Sequence, residues 1–215
     1  MFPIGDDDSS RRTVPLVTYA LVALNVLFFF VELSGGDAFV VKWAFVSRRF
    51  LANPSGDVPT LFTSMFMHAG WLHLGGNMLY LWFFGDNVED RFGHIKFIIF
   101  YLLCGLAATL AQLAFSLGSR VPNLGASGAI AGVLGAYILL FPQGKVRVLQ
   151  NQQVIQVPAL IVIGLWIVLQ FFSGIGSIAN TAQTGGVAYI AHIGGFLAGF
   201  ALTFLFRGRG AQATG

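Results

Sequence analysis

The sequence predicts an all-α, polytopic membrane protein built on six transmembrane helices. Three observations predict it. Of 215 residues, 56% are hydrophobic and only 10% charged, with a mean hydropathy of +0.76, far from the composition of soluble globular domains. The charged residues are gathered between long charge-free stretches. The basic ones fall mostly on alternate connections, as they do between membrane helices. The twelve Lys and Arg against nine Asp and Glu leave a positive balance too slight and scattered for a nucleic-acid partner. The single cysteine, Cys104, has no intramolecular disulfide partner and reads as a small core residue.

Residues 1–13 contain Asp6, Asp7, Asp8, Arg11 and Arg12 and lack the apolar core of a signal peptide, so the first hydrophobic helix is expected to be retained, with these residues as a tail that the basic residues place in the cytoplasm. Residues 14–206 hold the membrane domain, and 207–215 form a second cytoplasmic tail. A helix crossing the hydrocarbon needs about 20 mostly apolar residues. Residues 15–31 give the first span, 58–85 hold the second, 97–119 are the third and 121–144 hold the fourth. Residues 148–206 carry no charge over a length too great for one helix, and the polar stretch 173–186 divides them into a fifth span and a sixth. The connection after the first span mixes Phe39, Val40, Trp43, Phe45 and Phe50 with basic residues. It reads equally as a stretch lying on the membrane surface or as an ordinary loop.

With the N-terminus inside, Arg11, Arg12, Arg91, Lys96, Lys145, Arg147, Arg207 and Arg209 are all cytoplasmic, against Lys42, Arg48, Arg49 and Arg120 outside. Both termini are therefore expected in the cytoplasm.

Polar groups inside a span are expensive and by default functional. His73 and Asn77 lie in the second span, Ser127 in the fourth and His192 in the sixth, all three spans running from outside to inside. Ser127 precedes the expected helix end at Phe141, and His192 precedes Phe206, by the same length, roughly 21 Å at 1.5 Å per residue. His73 precedes Asp86 by roughly 20 Å. His73, Ser127 and His192 thus share one layer, roughly 10 Å below the outer face of a 30 Å slab, with Asn77 about one turn deeper, so the four side chains can converge. Packing residues placed independently have no reason to share a level.

Ser127 sits in the sequence GASG at the expected start of a helix, where free N–H groups favour an anion. A serine nucleophile needs a base, and His192 supplies an imidazole from another inward-running helix. Residues 148–206 contain no carboxylate to orient it, so the pair reads as a dyad unless an extramembrane acid folds in. Asn77 and His73, four residues apart on one helix face, are suited to donate to an oxyanion together with the Ser127 N–H. Gly128, Gly132 and Gly135 on one helix, with Gly195 and Gly199 on the face bearing His192, permit close approach.

Three motifs in order, His68-x4-His73-x3-Asn77, Gly125-x-Ser127-Gly128 and Ala191-His192-x2-Gly195-x3-Gly199, resemble those of the rhomboid intramembrane proteases. The resemblance implies a six-helix rhomboid bundle in which Ser127 is the nucleophile and His192 the base. It implies an oxyanion hole of Asn77, His73 and the Ser127 N–H, with no cofactor and no metal. Its implied substrates are transmembrane proteins cut near the outer face, and its implied setting is the bilayer of a bacterial-type plasma membrane. Val88, Glu89, Arg91 and Gly93 also resemble a family segment, for which a structural role is enough. Phe171 stands near an aromatic associated with lateral substrate access, and equally suits a lipid-facing position.

Two departures stand out. Pro59 and Thr60 occupy the places of a Trp-Arg pair in the first outer loop of many rhomboids, and Ala131 that of a tyrosine that stacks on the catalytic histidine. Tyr189, three residues before His192 on its helix, is read either as the replacement ring or as an interfacial tyrosine. Two other classes compete: a rhomboid-fold pseudoprotease, against which the retained polar residues argue, and a small transporter, whose halves should resemble each other and do not.

Overall fold

Capping groups decide where the first helix starts. In the computed structural model, which describes residues 2–6, 11–151, 153–179 and 189–207, α1 runs Leu16–Trp43. The buried Glu89 accepts from Val17 N (2.9 Å), Thr18 N (2.7 Å) and Thr18 Oγ1 (2.7 Å). Asp90 accepts from Arg12 N, Thr13 N and Thr13 Oγ1. Glu89 thereby satisfies two orphan N–H groups of the first turn from a neighbouring helix, and Asp90 fixes the residues that lead into it. That helix comes fifth, and Glu89 also lies 2.5 Å from His94 Nδ1, so this one segment ties three helix ends together. Within α1 the backbone breaks at Gly36, whose φ of 58° and ψ of −154° favour glycine.

The connection after α1 is neither a surface stretch alone nor an unstructured loop. Its first part completes α1, and three short helices follow: α2 (Ser47–Ala52), α3 (Pro54–Asp57) and α4 (Thr60–Thr63), then a 3-10 turn at Ser64–Phe66. Phe45 is fully buried. The remaining helices are α5 (Trp71–Phe92), α6 (His94–Phe115), α7 (Ser127–Leu140), α8 (Ala159–Ala179) and α9 (Tyr189–Phe206). Gly93, at φ 78°, makes the reversal between α5 and α6.

The expected spans differ from these helices at their ends. The stretch 58–85 begins as short turns and becomes α5 only at Trp71; the stretch 121–144 contributes only Ser127–Leu140. The largest difference is a hairpin. Strands β2 (Lys145–Gln150) and β3 (Gln153–Pro158) pair antiparallel, and β1 (Phe2–Asp6), within the expected N-terminal tail, joins β2 to give the order β1-β2-β3. Lys145, Val146, Arg147 and Val148 alternate exposed and buried, a period-2 pattern that a count of uncharged residues overlooks. Midway along the uncharged run α8 continues through Ala179 into the polar stretch, whose residues 180–186 lie outside the described ones.

Among the described residues, α1, α6 and α9 are long and apolar enough to cross a membrane by length and composition, while Ser127–Leu140 and Ala159–Phe172 are shorter apolar helices. The centre of the molecule is where α6, α7 and α9 meet. A methyl group on Gly195 would fall 2.0 Å from the Gly128 carbonyl oxygen, and one on Gly128 2.5 Å from the Ala108 Cβ. Small residues therefore let three backbones converge, with Phe97, Phe100, Tyr101, Cys104 and Leu134 filling the core around them.

Candidate active site

Ser127 is the first residue of α7. The loop before it is held on two sides: Phe45 and Asn123 exchange backbone hydrogen bonds of 3.1 and 2.7 Å, and Gly125 N donates to Ser64 O at 2.8 Å. Gly125 has φ 128°, and a Cβ there would fall 2.8 Å from His73 Cε1 and 3.0 Å from His73 Nε2. Glycine at this position serves both the backbone conformation and the approach of the His73 ring over the peptide beside Ser127.

His192 lies on α9, one residue after Ala191, whose N–H donates to Gln112 Oε1 of α6 at 3.2 Å. With the α7–α9 backbones in contact, His192 Nε2 comes 2.7 Å from Ser127 Oγ. His192 Nδ1 faces Gln170 Oε1 of α8 at 2.7 Å. Trp166, also on α8, lies over the imidazole with ring centroids 5.6 Å apart and planes at 36°. Tyr189 approaches the same ring edge-on, at 6.5 Å and 89°.

His73 Nδ1 accepts from Ala69 N at 3.3 Å, which leaves the proton on Nε2, the nitrogen next to Gly125. Asn77, one turn further along α5, is buried, and its Nδ2 has no hydrogen-bond partner among the described residues. A buried amide donor without a partner costs about 1–3 kcal/mol, so this one is poised for an acceptor that arrives. His73, Asn77, Tyr80, Ser127, Trp166 and His192 all line one cavity of about 620 Å³. The four polar residues expected to converge thus do so. His68 is buried beside them, its ring 5.2 Å from that of His73, and its backbone N–H donates to Glu32 Oε2 of α1 at 2.9 Å.

Phe171 does not line the cavity and is 52% exposed on α8. Among the described residues no three His, Cys, Asp or Glu side chains are grouped to hold a metal ion. Sequence reasoning missed Gln170 and Trp166. The signal was available: Gln170 is the only hydrogen-bonding amide, hydroxyl or charged side chain between Pro158 and Ser173, and a lone polar group in such a run is a functional candidate.

Comparison with known proteins identifies the family. The family model described as the Rhomboid domain matches residues 55–209. The chain is 33% identical over 190 residues to the rhomboid protease GluP of Bacillus subtilis, covering 87% of this chain and 35% of that protein. It is 30% identical over 188 residues to rhomboid protein 1, mitochondrial, of Saccharomyces cerevisiae, covering 85% of this chain and 51% of that one. RHOMBOID-like protein 1 of Arabidopsis thaliana is 30% identical over 150 residues, 70% of this chain and 35% of the relative. The chain spans between about a third and a half of the length of these relatives. Its apolar helices and its matched domain make it an integral membrane protein, and the chain belongs to the rhomboid family.

Proposed function

We propose that this chain is an intramembrane serine protease that hydrolyses transmembrane proteins near the outer membrane face, through Ser127 and His192 acting as a dyad. The observation that carries the reading is the 2.7 Å contact between Ser127 Oγ and His192 Nε2, on two helices held by glycine contacts and open to a cavity lined by Asn77, whose Nδ2 has no partner among the described residues. Nε2 takes the hydroxyl proton as Oγ attacks the scissile carbonyl carbon. The negative charge formed on the carbonyl oxygen is met by the Asn77 Nδ2, the His73 Nε2–H and the Ser127 N–H. His192 then returns the proton to the leaving amine. Water, deprotonated by the same base, hydrolyses the acyl-serine.

In this reading α1, α5, α6, α7, α8 and α9 are the six membrane helices, and residues 1–13 and 207–215 lie on the basic, cytoplasmic side of a bacterial-type plasma membrane. With fourteen residues, α7 is about 21 Å long, less than the roughly 30 Å of hydrocarbon. A helix that short puts Ser127 below the outer face when its C-terminal end reaches the inner one, within reach of water through the loops above. Phe171, exposed on α8, is placed in this reading at the lipid side of the lateral path.

A fluorophosphonate probe on the purified protein tests the reading: labelling and cleavage of a membrane substrate are both expected to vanish in Ser127→Ala and His192→Ala with the fold intact. Substantial cleavage by folded Ser127→Ala would refute it. An unlabelled, inactive parent would instead favour a client-binding pseudoprotease.

A further inference from the structure

One helix, α8, supplies two of the contacts that the His192 ring makes. Gln170 and Trp166 are four residues apart on α8 and therefore share a face. Gln170 Oε1 lies 2.7 Å from His192 Nδ1, and the Trp166 indole covers the imidazole ring at 5.6 Å. A base must offer Ser127 a bare Nε2, which leaves its proton on Nδ1. A buried N–H without an acceptor costs about 1–3 kcal/mol, and the amide oxygen of Gln170 is the acceptor in place. The need is mutual, because an amide in an otherwise apolar helix also requires a partner. On the α7 side, Ala131 presents only a methyl group.

We infer that Gln170, with Trp166 beside it, is the positioning residue that holds His192 in the Nδ1–H form, so that the base is competent only while α8 is docked against α9. The inference rests on the reading of Ser127 and His192 as a dyad. The next residues, Phe171 and Phe172, are 52% and 67% exposed, so the helix that orients the base is also an outer wall of the bundle. Displacing α8 outward removes the amide and the indole together. A substrate passing through that wall meets a base without its acceptor, and proton transfer waits until α8 closes again. Lateral opening and catalysis thus exclude one another.

The test uses the full chain in detergent with a small water-soluble fluorophosphonate, which needs no lateral passage, alongside a transmembrane substrate. Gln170→Met keeps the length and removes the acceptor; Gln170→Glu keeps an acceptor oxygen. Labelling of Gln170→Met is expected to slow roughly 10- to 1000-fold, the loss associated with a misoriented general base. Its kcat on the membrane substrate should fall by the same factor with KM unchanged, and Gln170→Glu should recover to within a few-fold of the parent. Labelling at the parental rate with only substrate cleavage altered would make α8 a gate and overturn the inference, as would equal losses in the Met and Glu variants. If Gln170→Met fails to fold, Trp166 decides: Trp166→Leu is expected to slow labelling and Trp166→Phe to retain it, and equal rates overturn the inference. Labelling that survives Ser127→Ala removes the dyad itself, a failure distinct from Ser127-dependent labelling that ignores residue 170.

Discussion

A methyl group on Gly199 would lie 2.1 Å from the carbonyl oxygen of Gly132, so α7 and α9 meet backbone to backbone. Neither partner atom is a side chain able to rotate away. The same crossing sets the Ser127–His192 distance, which makes these glycines determinants of both stability and geometry. Gly199→Ala and Gly195→Ala are each expected to lower stability by about 1–3 kcal/mol or more, the range of overpacked cores. Gly75→Ala, where nothing lies within 4 Å of the added carbon, should be neutral. Thermal unfolding in detergent reads the difference; an unchanged midpoint in Gly195→Ala would mean that the helices separate freely.

Asn77 is the donor with the most specific expectation. Its Nδ2 is buried and has no partner among the described residues, and in the proposed mechanism it donates to the oxyanion as negative charge develops. Asn77→Ala should therefore lower kcat by roughly 10- to 1000-fold and leave KM nearly unchanged. A raised KM with normal kcat would make it a substrate-binding residue instead.

How much of this was legible in the sequence depends on the kind of signal. The convergence of His73, Asn77, Ser127 and His192 is legible from helix rise, although the rise is counted back from a second span ending at Asp86 and α5 continues to Phe92. Gly128, Gly132, Gly195 and Gly199 announce a close crossing by their four-residue spacing. The hairpin at residues 145–158 carries its own alternation, but hydropathy averaged over a span conceals it. The support of His192 was half legible. Tyr189 shares its helix, and the ring does stand near the imidazole, edge-on. Gln170 and Trp166 are 22 and 26 residues away, and only the packing of α8 on α9 joins them to it. Likewise, nothing local to Arg49 tells which carbonyls it reaches.

The orientation of the chain is open to a direct measurement. Its basis is the concentration of Lys and Arg on one set of connections. Cysteines placed at the exposed positions Ser55 and Gly118 should react with an impermeant thiol reagent applied to intact cells. Cysteines at the exposed positions Lys145 and Gln153 should react only after permeabilisation. The native Cys104 is fully buried and should remain silent. The reverse pattern would invert the topology and place the cavity mouth on the cytoplasmic side.

Arg49 supplies the last expectation, because the connection between α1 and α5 has Pro59 and Thr60 in place of the Trp-Arg pair of many rhomboids and yet is firmly tied. The guanidinium donates from Nε to Asp57 Oδ1 at 2.7 Å, from Nη2 to Ala44 O at 2.5 Å and from Nη1 to Val41 O. One planar fork thus joins the end of α1, the turn after it and α3. Residues 44 and 45 follow directly, and Phe45 is the residue that pairs with Asn123 in the loop before Ser127. Loss of the fork is therefore transmitted to the segment that presents the nucleophile. The Arg49 side chain is one-third exposed, so solvent takes up part of the loss, and Arg49→Ala should cost about 1–2 kcal/mol. Lysine keeps the charge but satisfies fewer acceptors in fixed directions, so Arg49→Lys should restore little of it. Hydrogen exchange is expected to quicken at the amides of Ala44, Phe45 and Asn123 in both variants, while those of the α6–α7–α9 core stay protected. If protection of Phe45 and Asn123 is unchanged in Arg49→Ala, the loop is held by its buried aromatic residue and the fork is incidental.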